Sequence, residues 1–470
     1  MRWNRRLPPR RKRSIGSILI SKILIANRGE VALRVIRACK ELSIPCVAVY
    51  SEADSASLHA HEADEAVCIG PGPVVDSYLK IPSLIAAAEI TGCDAVHPGY
   101  GFLAENPEFV EVCENNDMVF IGPGADLMRR MGDKSLAKQL MSRARIPVIP
   151  GSDGTVATTE EASRLADSFG YPVMMKASAG GGGRGLRLVE SPDGMERAFE
   201  MASGEAQTAF GDGAMYLEKA VTNPHHVEVQ VLVDKAGSVL TLGERDCSIQ
   251  RRHQKLVEES PSPLLDDGTR MKMAETAIAA CRACGYENAG TIEFLVDEEK
   301  NFYFMEMNTR VQVEHPVSEM TTGVDIVREQ IRIAAGETLR QTGTIRTRGH
   351  AIELRINAED PRRDFQPNTG AITRYVPPGG PGVRVDSHLY EGYVIPVFYD
   401  SLLAKLIVWD VDRPAAISRA QRALDEFIVE GITTNKDFFR AILGDREFAA
   451  GHYTTAFLED KMEALLGVLE

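Results

Sequence analysis

Glu306-Met307-Asn308-Thr309-Arg310-Val311-Gln312-Val313-Glu314-His315-Pro316 alternates charged and amide side chains with apolar ones. On an extended chain, residues two apart share a face. Glu306, Asn308, Arg310, Gln312 and Glu314 are therefore expected to line a polar surface, with Met305, Met307, Val311 and Val313 on its core side. The pattern alone also fits a solvated edge strand. Just upstream, Thr291-Ile292-Glu293-Phe294-Leu295-Val296 and Phe302-Tyr303-Phe304-Met305-Glu306 flank the polar Asp297-Glu298-Glu299-Lys300-Asn301, which reads as a hairpin. Pairing these runs brings Glu293 across from Glu306. Facing carboxylates repel unless a cation lies between them, and two carboxylates with an amide oxygen suit a hard divalent cation. Mg²⁺ takes its remaining oxygens from substrate phosphates, so the hairpin predicts a nucleotide nearby.

A phosphate cradle is found in Tyr171-Pro172-Val173-Met174-Met175-Lys176-Ala177-Ser178-Ala179-Gly180-Gly181-Gly182-Gly183-Arg184-Gly185, where an apolar strand ends in lysine and runs into glycines. Without side chains in the way, successive N–H groups can turn toward an anion. The spacing matches neither the Walker pattern nor the dinucleotide fingerprint. With Leu186-Arg187-Leu188-Val189 resuming a strand, the reading is a hairpin flap that closes over phosphates.

Together these stretches resemble the biotin carboxylases of the ATP-grasp superfamily. Further runs carry the likeness: Ile25-Ala26-Asn27-Arg28-Gly29-Glu30, His97-Pro98-Gly99-Tyr100-Gly101-Phe102-Leu103, Met131-Gly132-Asp133-Lys134, and Glu244-Arg245-Asp246-Cys247-Ser248-Ile249-Gln250-Arg251-Arg252-His253-Gln254-Lys255. The resemblance implies that Lys134, Lys176, Gly182 and Gly183 contact ATP phosphates. It sets Leu217, Glu218, His226 and His253 near the adenine, and adds Lys219, Gln250 and Leu295 to the ATP site. Glu293, Glu306 and Asn308 match ligands of Mg²⁺ or Mn²⁺. Lys255, Arg310, Gln312, Val313 and Glu314 match the bicarbonate site, with Glu314 as general base, and Arg355 matches the biotin-binding arginine.

The implied reaction is ATP-dependent carboxylation of carrier-bound biotin through carboxyphosphate. The implied partners are a biotin carboxyl carrier protein, carboxyltransferase subunits and a second copy of the chain. Acetyl-CoA is the leading candidate for the final acceptor, which would place the chain in fatty acid biosynthesis. Two other classes share parts of the pattern. A carboxylate–amine ligase would have the flap and metal acids but lack the run from Arg310 to Glu314 and Arg355, and a regulatory subunit would carry a dead nucleotide site.

Composition agrees with an enzyme. A chain of 470 residues suits two or three domains. Its 44% hydrophobic and 26% charged content is globular, and a net charge of −14 argues against nucleic acid as substrate. The basic cluster Arg251, Arg252, His253 and Lys255 is expected to face the phosphate of a smaller ligand. Residues 1–21 carry Arg2, Arg5, Arg6, Arg10, Arg11, Lys12 and Arg13 without an acid and read as a disordered basic tail. No apolar run is long enough for a membrane span. Eight dispersed cysteines point to a reducing, cytoplasmic setting.

Three changes of pattern divide the chain into a fold that is α/β, and α+β overall. Residues 22–132 alternate strand-like runs (23–26, 47–50, 95–97, 119–121) with helix-like ones (31–42, 81–91), predicting a parallel α/β domain. Residues 133–345 hold the ATP elements, with a lid over about 158–221, and residues 346–470 form a mixed β/α domain. Two local patterns are decoys. Met271-Lys272-Met273 imitates a biotin-attachment turn, and Cys281-Arg282-Ala283-Cys284 a metal pair, yet both lie in a helical run.

Overall fold

The computed structural model describes residues 20–152, 154–177, 186–210 and 213–469. Gly182, Gly183 and most of the basic tail lie outside the described residues. Ile20 and Ser21, expected in that tail, belong to the first layer instead. Ile20 is buried among Ile23, Ile36 and Ala95, and the Ser21 N–H donates to Asp94 at 3.0 Å.

Five parallel strands form that layer, in the order Glu65–Cys68, Cys46–Tyr50, Ile23–Ile25, Ala95–His97 and Val119–Phe120. Glu65–Cys68 was not foreseen, because a short and largely exposed edge strand has little apolar signal. Helices Gly29–Glu41 and Ile81–Thr91 cover opposite faces, one through Val35 and Ile36, the other through Leu84 and Ala88. Open α/β sheets present ligands beyond the carboxyl ends of their strands. Here the segment after Ala95–His97 turns at Gly99, whose φ of +63° favours glycine and where a Cβ would lie 2.9 Å from Asn27 Nδ2. Asn27 Nδ2 in turn donates to the Pro98 and Tyr100 carbonyls at 2.7 Å, fixing the loop that leads to Glu105.

A nine-stranded sheet forms the body. Its order is Phe302–Asn308, Asn288–Val296, His225–Val233, Val239–Arg251, Gln254–Ser260, His350–Asn357, Leu402–Asp410 and Val383–Ser387, with Gly343–Thr344 alongside Val239–Arg251. The expected division at residue 346 therefore falls within one continuous sheet, since Gln254–Ser260 pairs directly with His350–Asn357. One face is closed by helices Arg413–Glu426, Lys436–Gly444 and Phe457–Gly467, whose Leu424, Phe438 and Leu458 pack on Leu354 and Leu406.

The lid is a three-stranded sheet of Leu186–Val189, Val173–Ala177 and Met215–Lys219, backed by helices Thr159–Phe169 and Met195–Phe210. Val173–Ala177 and Leu186–Val189 are antiparallel neighbours, so the two strands flanking the glycine run pair as expected. Both decoys sit on helix Asp267–Cys284, where Lys272 is exposed while Cys281 and Cys284 are buried in the core.

Candidate active site

The hairpin places Glu293 directly opposite Glu306. Between that pair and the next, Phe294 with Phe304, the ladder slips by one residue. A bulge of this kind leaves its extra residue unpaired and re-aims the chain. Met305 is that residue and is 40% exposed, not core as expected. The strand also ends at Asn308, and helix His315–Thr322 begins seven residues later with Pro316 in its first turn. Arg310, Gln312 and Glu314 thus occupy an irregular segment, where their positions are set by side-chain bonds instead of strand alternation; Val313 is half-buried.

Lys255 organises these groups. Its Nζ donates to Glu228 at 2.6 Å, Glu293 at 3.0 Å and Glu314 at 2.7 Å. Burial disfavours its charge, but the three carboxylates outweigh that and raise its proton affinity well above the ordinary lysine value. The same exchange acts on Glu314. Against burial, Lys255, Arg355 and Arg245 hold it well below the usual carboxylate range. Glu293 is likewise lowered by Lys255 and by His226, whose Nε2 lies 3.0 Å from its carboxylate. Glu293 also accepts from Asn308 Nδ2 at 2.9 Å and Gln312 Nε2 at 2.8 Å.

Arg355, on strand His350–Asn357, reaches Glu314 at 3.0 Å through Nη2 and Glu258 at 2.5 Å through Nε. Arg310 pairs elsewhere. The sequence set it beside Glu314, but its Nε donates to Glu105 at 2.8 Å and its Nη2 to Asn308 Oδ1 at 3.0 Å. Gln312 is held by Arg245, a fully buried guanidinium that also binds Glu228 and Gln230. The Val313 carbonyl accepts from the buried Lys405 at 2.9 Å.

On the nucleotide side, Lys134 begins helix Lys134–Arg143, capped by Asp133, and lies 3.0 Å from Glu306. Each of the two facing carboxylates therefore has its own ammonium. Glu293 and Glu306 are presented together and fit a hard divalent cation that shares phosphate oxygens, whereas Asn308 has turned its amide oxygen to Arg310. Glu218 accepts from Lys176 at 2.5 Å and from Lys138, which was not foreseen, at 2.7 Å. Leu217 is buried in the lid core with its N–H and carbonyl bonded to Ser152, and Lys219 Nζ donates to the Gly170 and Tyr171 carbonyls. Gln250 and Leu295 are half-buried on their strands, and His253 is exposed at a hairpin tip with φ of +64°. Arg251 and Arg252 clasp Asp364.

Sequence reasoning missed Glu105, Glu228, Arg245, Glu258, Lys138 and Lys405. A signal existed for Glu228: His225–Val233 alternates Val227, Val229, Val231 and Val233 with His226, Glu228 and Gln230, and a polar row on a buried strand marks a site. Glu105 offered none beyond its proximity to the His97–Leu103 run.

A lid bearing Lys176 over a sheet bearing paired acids defines an ATP-grasp enzyme. Family models agree: the N-terminal domain of biotin carboxylase matches residues 19–128, the ATP-binding domain of the carbamoyl-phosphate synthase L chain 133–342, and the C-terminal domain of biotin carboxylase 353–460. A biotin carboxylase of Nostoc sp. is 55% identical across 93% of this chain and 98% of its own. The biotin carboxylase–β,γ-ATP complex from Campylobacter jejuni superposes with a TM-score of 0.89 at 53% identity, covering 94% of this chain and 99% of that one. The biotin carboxylase domain dimer of Hydrogenobacter thermophilus 2-oxoglutarate carboxylase, with MgADP, ADP and bicarbonate, gives 0.88 at 50% identity, over 95% and 98%. The chain belongs to the biotin carboxylase family.

Proposed function

We propose that the chain carboxylates biotin on a carrier protein, using ATP and bicarbonate. The observation that carries this reading is the bridge from Glu293 through Lys255 to Glu314 and on to Arg355, which joins a metal acid, a base and a biotin-binding arginine in one buried cluster. Bicarbonate is a poor electrophile and must be phosphorylated first. In the resting cluster Glu314 is a weak base, because Lys255 and Arg355 stabilise its charge. An anion bound between Lys255 and Arg310 competes for Lys255 and adds a like charge, so Glu314 regains proton affinity as bicarbonate arrives. Lys134, Lys176 and the glycine flap would neutralise charge on the transferring phosphoryl group. Mg²⁺ or Mn²⁺ on Glu293 and Glu306 would supply further charge to the phosphate oxygens. Carboxyphosphate then yields CO₂ and phosphate, and Arg355 holds the ureido oxygen as biotin's nitrogen attacks CO₂.

Residues 22–132, 133–345 with the lid at about 158–221, and 346–470 are read as the three functional units. A carrier protein, carboxyltransferase subunits and a second copy of the chain are the proposed partners, in the cytoplasm. Among the described residues no helix is long and apolar enough to cross a membrane. Acetyl-CoA remains the proposed acceptor, although the Hydrogenobacter relative serves 2-oxoglutarate. The test is ADP release with and without bicarbonate and free biotin: stimulation by both supports the reading, and indifference to both contradicts it.

A further inference from the structure

Three neighbouring strands set four ionisable side chains on one buried face. Glu258 stands opposite Glu353 in the ladder, and Arg355 opposite Lys405. Glu258, Glu353 and Lys405 are wholly buried. Both nitrogens that Arg355 offers Glu258 go to Oε1, leaving Glu258 Oε2 and both oxygens of Glu353 without partners. Two opposed buried carboxylates do not both ionise without a cation between them, and an unpartnered buried acceptor is costly. A single proton shared by Glu258 Oε2 and one Glu353 oxygen removes the repulsion and partners two of those three oxygens.

We propose that Glu258 and Glu353 hold one proton between them, and that the charge left on Glu258 positions Arg355 against Glu314 for biotin. The proposal rests on the reading of Arg355 as the biotin-binding arginine. Glu258 is a positioning residue that acts through Arg355.

The surroundings favour the proton on Glu353. Around Glu258 are Arg355 and Glu353 from His350–Asn357, Lys255 on its own strand, Cys247 from Val239–Arg251, and Glu314, while Lys405 from Leu402–Asp410 acts on Glu353. His315, on the helix covering this face, is kept neutral by burial, its proton affinity lowered to about 3. Burial pushes the Glu258 carboxyl up to about 7 against the pull of Arg355. Burial and Glu258 together push Glu353 well above the ordinary value despite Lys405. Glu353 therefore keeps its proton, while Glu258 gains one as the solution turns acid and then releases Arg355.

Carboxybiotin formation from free biotin and ADP release are followed against pH in the full-length wild type and in Glu258→Gln, Glu258→Asp and Glu353→Gln. Wild-type kcat/KM for biotin is expected to fall on the acid side with an inflection near 7. Glu258→Gln should lower it ~10–100-fold, as loss of a residue that orients another does, and abolish the inflection while bicarbonate-dependent ADP release persists. Glu258→Asp, which keeps the charge, should restore the inflection. Glu353→Gln mimics the protonated acid and should stay close to wild type. An inflection that survives in Glu258→Gln, or equal losses in Glu258→Gln and Glu353→Gln, would overturn the proposal. Wild-type ADP release that ignores bicarbonate would overturn the underlying reading instead, and the proposal with it.

Discussion

Glu105 and Arg310 meet across 205 residues of chain: Arg310 Nε donates to Glu105 Oε2 at 2.8 Å, while Glu105 Oε1 accepts the Thr309 N–H at 2.9 Å. One carboxylate from the parallel domain therefore holds both the backbone and the guanidinium of the segment assigned to bicarbonate. Glu105→Gln preserves shape but removes the charge that fixes Arg310. The bicarbonate KM should rise ~10-fold or more with the ATP KM little changed, a loss typical of a partner behind a binding residue. An unaltered bicarbonate KM in a folded variant would show that Arg310 needs no such support.

Glu306 faces Glu293 and is held by Lys134. Glu306→Gln keeps its volume and loses one of the two charges proposed to hold the metal, so Mg²⁺-dependent ATP cleavage should collapse. Titration of ADP release with Mg²⁺ checks this; a wild-type metal profile in the variant would move the cation elsewhere.

Much of this site was legible because it is local. The hairpin, its Glu293–Glu306 register and the strands flanking the glycine run follow from two-residue alternation around short loops. Alternation failed where the strand stopped at Asn308, although Pro316 signals a helix start. Legibility also failed where a partner comes from a distant element. Nothing near Arg310 in sequence announces Glu105, and nothing near Arg355 announces Glu258, because strand pairing alone brings them together. The sheet that runs across residue 346 was hidden for the same reason, since Glu258 and Glu353 become neighbours only when Gln254–Ser260 pairs with His350–Asn357.

Glu259, next to Glu258 but on the opposite face, ties the terminal helices to the sheet through His350 at 2.5 Å, Arg413 at 2.6 Å and the Tyr453 hydroxyl. Burial opposes its charge, yet His350 and Arg413 lower its proton affinity from 4.5 to about 2. A depressed carboxylate stabilises the fold above its unfolded value, and the contribution is lost as pH falls through the folded one. Glu259→Gln should therefore cost ~3 kcal/mol near neutral pH, and the difference from wild type should shrink between about pH 5 and about pH 2. Denaturant unfolding at several pH values checks this. A deficit that is constant with pH would place the stabilisation in packing.

We propose that one cluster serves two half-reactions, with Glu314 on bicarbonate and Arg355 on biotin, 3.0 Å apart. ADP release and carboxybiotin formation should be measured side by side in Arg355→Ala and Glu314→Gln. Arg355→Ala is predicted to keep slow bicarbonate-dependent ADP release while carboxybiotin formation falls ~10²-fold, the usual loss for one transition-state charge partner. Glu314→Gln should lose both activities together, because the base precedes both. Parallel loss of both activities in Arg355→Ala, or loss of neither, would contradict the account.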